Sequence, residues 1–103
     1  MKSAITPPDD CRDMGDVRVG VDQTDRELVA LLARRYGYMR AAARIKQDRN
    51  TVRDEVRKAA VINAAADKAA AAGLPRADIA EIWDRLVESS IAYEMVEWDR
   101  LRD

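Results

Sequence analysis

Between residues 16 and 47 the apolar positions return with the period of a helix: Val17, Val21, Leu28, Leu31, Leu32, Met39, Ala42 and Ile45, in about thirty residues without a proline. At ~1.5 Å per residue such a helix is ~45–50 Å long, whereas a compact domain of about 100 residues has a radius of gyration of ~13 Å. The helix outruns the globule one chain can build around it. It needs a partner, most simply a second copy of itself. Asp16 is the expected N-cap, or Asp13 if the helix begins earlier. Gly20 and Gly37 weaken the helix locally without ending it.

A polar link, QDRN at 47–50, follows the first helix. Thr51, with Asp54 three residues on, is a weak variant of a capping box and predicts a second helix over 52–72. That helix is alanine-rich, with Val56, Ala60, Ile62 and Ala66 among its small apolar residues. Gly73 suits the position just past a helix end, and Leu74-Pro75 starts the next element. A third helix is expected over 75–102, its inner stripe marked by Ile79, Ile82, Trp83, Leu86, Ser90, Tyr93 and Val96. Ser90 and Glu94, four residues apart, share one of its faces. No β-branched run has period two, so the fold class is all-α: a three-helix protomer with a long first helix. An N-terminal arm occupies 1–15, held extended by Pro7-Pro8, and the helical domain 16–103.

Composition narrows the chemistry. The 103 residues make one domain with a modest core, and a net charge of −1 offers no basic excess for nucleic acid. Apolar runs are too short for a membrane span. The N-terminal MKSAITPPDD lacks the apolar segment of a secretory signal, and the single cysteine, Cys11, suits a reducing cytoplasm, the expected compartment. There is no histidine, no grouping with metal-ligand spacing and no glycine-rich phosphate loop. An enzyme built from these residues is expected to need no metal or cofactor. Rearrangement of a small anion, helped by positioning and fixed charge, fits that restriction.

Three cations on the first helix are candidates for holding the anion. Arg35 and Lys46 are eleven residues apart and share a face, with Met39 and Ala42 between them. Arg18 is seventeen residues from Arg35, about a quarter-turn off that face, so it suits the pocket of a partner chain better than its own. As spacing alone, these are also ordinary solvated charges on an amphipathic helix.

Four segments together resemble the all-α chorismate mutase family, among its short stand-alone members, which include the isochorismate–pyruvate lyases. They are DVRxxVDxxDRELVALLARR at 16–35, AAARIKQ at 41–47, VRDEVR at 52–57 and SIAYE at 90–94. The resemblance implies an intertwined homodimer, the long first helix crossing its partner, in which each active site is lined mainly by one chain and completed by an arginine of the other. Carried over by position, Arg18 is the arginine donated across the dimer, and Arg35 binds a substrate carboxylate. Lys46 binds the ether oxygen and a carboxylate, and Arg57 helps hold the ring or the enolpyruvyl carboxylate. Asp54 meets the C4 hydroxyl, and Ser90 contacts the ring carboxylate region.

Two residues depart from the family pattern. Lys58 stands where many mutases carry a glutamate, and Glu94 where many carry a glutamine that donates to the breaking ether. A glutamate donates only when protonated, so activity is expected to fall as Glu94 ionises, and pairing of Glu94 with Lys46 would weaken the site as a mutase. The implied activity is conversion of chorismate to prephenate. Isochorismate–pyruvate lyase, 4-amino-4-deoxychorismate mutase and a non-catalytic helical dimer stay open as alternatives.

Overall fold

A computed structural model describes residues 5–103, and all of its longer elements are helical: α1, Met14–Ile45; α2, Glu55–Ala71; and α3, Arg76–Leu101. Short 3₁₀ turns occupy Pro8–Asp10 and Arg49–Thr51. No strand occurs among the described residues. The chain divides into two compact units, Met1–Tyr36 and Gly37–Asp103.

In the first unit, α1 begins earlier than Asp16. Asp13 is the cap: its Oδ1 accepts the Asp16 N–H at 2.9 Å, and Asp16 Oδ2 in turn accepts the Arg12 N–H at 3.0 Å. Two otherwise unsatisfied amides at the helix start are met in this reciprocal way. The described part of the arm is not simply extended, because Asp10 N–H closes a turn onto Pro7 O at 2.9 Å. Ile5, Pro7, Cys11, Val17 and Val21 line a groove of about 680 Å³ between arm and helix. The other apolar side chains of this stretch face outward: Val19, Leu28, Val29, Leu31 and Leu32 are all exposed.

The second unit is built on the packing of α2 against α3. Its second helix starts later than the sequence pattern predicts. Thr51 turns its hydroxyl back to Asp48 O at 2.7 Å and closes the 3₁₀ turn, while Asp54 caps α2 through Oδ1 and the Arg57 N–H at 2.9 Å. An aspartate is at least as good an N-cap as a threonine, and it stands next to the first helical residue. Gly73, at φ 80°, ends α2 in the left-handed conformation that glycine adopts without penalty. The Leu74 N–H reaches Ala69 O at 2.8 Å and the Gly73 N–H reaches Ala70 O at 3.1 Å, a Schellman pair.

Val52, Val87 and Ile91 form the buried cluster, with Val61, Ile62, Met95 and Trp98 packed against it. Ala43, Ala66 and Ala69 are also buried, their small side chains allowing close backbone approach. The inner stripe of α3 is rotated from the expected one. Ile82 and Val96 are exposed, and the buried positions are Val87, Ser90, Ile91 and Glu94.

Charged residues clamp the α2–α3 pair from outside. The Arg53 guanidinium grips both oxygens of Glu88, at 2.8 and 3.0 Å, and Lys58 Nζ lies 2.7 Å from Glu88 and 3.0 Å from Asp84. Lys58, the departure from the mutase pattern, is thus an interhelical tether. Arg53 first and Lys58 second hold the Glu88 carboxyl down to about 2. A carboxyl lowered in the folded state stabilises the fold above its ordinary range and loses that contribution as pH falls through the lowered value. Glu88→Gln should therefore lower the melting temperature at pH 7 by a few degrees, because the pair is solvent-screened. The gap to wild type should close between about pH 4.5 and about pH 2. A gap that persists unchanged in thermal melts at pH 2 would contradict the clamp.

Candidate active site

Lys46 stands just past the end of α1, its N–H still bonded to Ala42 O at 2.8 Å. Its ammonium lies 2.8 Å from Oε2 of Glu94, on α3. The Glu94 side chain is only 5% exposed and that of Lys46 31% exposed, so a cation at the protein surface meets a carboxyl inside it. The ammonium approaches off the line of a hydrogen bond, which leaves this buried oxygen with a countercharge but no donor aimed at it. Burial of a carboxyl on such terms is costly and makes the pair a candidate for the functional site.

Ser90 lies one turn before Glu94 on the same buried stripe of α3. Its hydroxyl donates to Leu86 O at 2.7 Å, the back-bond available to a serine within a helix. Lys46, Glu94 and Ser90 are thus all in the second unit, and the first two are in direct contact. The pairing of Lys46 with Glu94, which the sequence raised as an alternative, is what the structure contains.

The other expected residues are placed differently. Asp54 uses one carboxylate oxygen on the α2 N-terminus. Arg57 is exposed and lines a groove of about 590 Å³ with Ala60, Ala64, Lys68 and Trp83, a groove that neither Lys46 nor Glu94 lines. Arg18 is exposed and Arg35 half-buried, both on α1 in the first unit.

Pattern reading did not single out Trp98 or Arg102. Trp98 Nε1 donates to Lys46 O at 3.0 Å, and Arg102 donates to Lys46 O at 2.6 Å and to Ala43 O at 2.9 Å. One signal for them was present: the first helix ends in RIKQ with no glycine to close it, so its last carbonyls needed donors from elsewhere.

Three helices, no strand among the described residues and a lysine–glutamate pair at the α1–α3 junction define a class of protein. The chain belongs to the chorismate mutase type II family, whose profile matches residues 17–95. It is similar to an isochorismate pyruvate lyase of Pseudomonas aeruginosa, 28% identical over 95 residues that cover 92% of this chain and 94% of the relative. Among the described residues no helix is long and apolar enough to cross a membrane.

Proposed function

We propose that this protein is a cytoplasmic chorismate mutase, a homodimer that converts chorismate to prephenate. The observation that carries the proposal is the Lys46 ammonium 2.8 Å from a buried Glu94, in a chain of the chorismate mutase type II family.

The rearrangement is intramolecular: the ether C–O bond breaks, a C–C bond forms, and nothing enters or leaves. Negative charge builds on the ether oxygen as its bond breaks. Lys46 stabilises that charge, and the O–H of a protonated Glu94 donates a hydrogen bond to the same atom. The family resemblance assigns Arg57 and Ser90 to the substrate carboxylates and ring, and the Asp54 oxygen not used in capping to the C4 hydroxyl. Fixing the two carboxylates selects the conformer in which the reacting carbons approach. An ionised Glu94 instead neutralises Lys46, and the site then loses both stabilisers together.

The exposed Leu28, Leu31 and Leu32, which share one face of α1, support the dimer, since exposed apolar surface on one face suits an interface. In that dimer Arg18 serves the partner's site. Arg18→Ala and Lys46→Ala should each be nearly inactive on chorismate. A mixture of the two, denatured and refolded together, should regain about a quarter of wild-type activity, because half the dimers are mixed and each of those has one intact site. No recovery, with mixed dimers shown by mass spectrometry, would contradict a shared site.

A second reading, isochorismate–pyruvate lyase, is favoured by the name of the Pseudomonas relative. Elimination of pyruvate from isochorismate runs through a related pericyclic transition state. The same Lys46–Glu94 pair serves, and the product separates the two.

A further inference from the structure

Helix α1 ends at Ile45 with Lys46 and Gln47 following, so its last carbonyls have no helical partner and no glycine turns the chain. The far end of α3 supplies the missing donors. Lys46 O accepts from the Trp98 indole at 3.0 Å and from the Arg102 guanidinium at 2.6 Å, and Ala43 O accepts from Arg102 at 2.9 Å. The guanidinium stacks 4.2 Å from the centroid of the Trp98 ring, which restricts the angle of its fork. Beyond the junction, Arg49 makes a two-point contact with Asp99, at 2.8 and 3.2 Å.

The spacing on α3 gives these bonds a common purpose. Glu94, Trp98 and Arg102 follow at intervals of four and therefore lie along one helix face. All three meet Lys46: Glu94 at the ammonium, Trp98 and Arg102 at the backbone carbonyl. One rigid helix thus fixes both ends of a long, flexible side chain.

We infer that Trp98 and Arg102 are positioning residues, holding the Lys46 backbone so that its ammonium stands where the reaction needs it. The inference rests on the functional reading above. Neither residue touches substrate. They act through Lys46, whose four rotatable bonds would otherwise spread the ammonium over many positions. A catalytic group displaced by about 1 Å loses up to about a hundredfold in rate.

Trp98→Phe removes the indole donor and keeps a ring against the core, and Arg102→Gln removes the fork. Each should lower kcat about tenfold while KM changes less than about twofold, because the carboxylate-binding arginines are untouched. Native-state hydrogen exchange supplies a readout independent of substrate. The Lys46 amide should exchange about tenfold faster in either variant, with the Val87 and Ile91 amides unchanged. Faster exchange at Lys46 alone, together with lower kcat, is the expected result. Unchanged Lys46 exchange, or unchanged kcat despite faster exchange, would overturn the inference. So would faster exchange throughout the core, the mark of a merely structural role. A wild-type protein that turns over neither chorismate nor isochorismate would instead defeat the functional reading, and the exchange result alone would then decide whether the clasp holds Lys46.

Discussion

Lys46→Ala should lower kcat on chorismate by about two to three orders of magnitude and leave the protein folded. A preorganised donor at a developing oxyanion is worth about 3–4 kcal/mol, which is that factor in rate. Lys46 is the cation in contact with the buried Glu94. Its loss from the fold is bearable. The side chain is 31% exposed, and its backbone bonds to Trp98 and Arg102 do not depend on the ammonium. Steady-state kinetics with a thermal melt on the same sample checks this. A folded variant with near-normal kcat would remove Lys46 from the mechanism.

Glu94→Gln should raise kcat on chorismate by about tenfold. A carboxylate beside Lys46 has no proton to donate to the breaking ether, and its charge offsets that of Lys46. A glutamine amide donates in its place and leaves the Lys46 charge free for substrate. Stability should hold or improve, because the buried oxygen without a donor is replaced by a neutral amide. Steady-state kinetics of the two proteins side by side check this, and equal rates would mean that Glu94 does not act at the ether.

What the sequence made legible was whatever rests on local periodicity and turn chemistry. The 3.6-residue spacing of Leu28, Leu31 and Leu32, the glycine at 73 and the length of the first helix all point to an all-α chain. Boundaries moved where two caps competed. Asp54 and Asp13 took the helix starts from Thr51 and Asp16, because side-chain carboxylates reached the free amides directly. The α3 stripe turned because burial follows the packing of Val87 and Ile91 on Val52 of the preceding segment, which a count of apolar positions does not contain.

Site residues divide in the same way. Lys46 and Glu94 were visible as candidates, and their contact joins residues far apart in the chain. Trp98 and Arg102 were not visible, since their role arises only when the end of α3 arrives at the end of α1. Lys58, which stands where many mutases carry a glutamate, is held by Glu88 and Asp84 on α3, a contact that appears only once the two helices pack.

The proposal places the rearrangement of chorismate at the Lys46–Glu94 pair. Its most direct test is a paired product assay on the purified wild-type protein. One arm follows loss of chorismate and conversion of the product to phenylpyruvate in acid; the other follows salicylate fluorescence from isochorismate. Prephenate as the faster product is the predicted result. Salicylate as the faster product, or no product from either substrate, would contradict it.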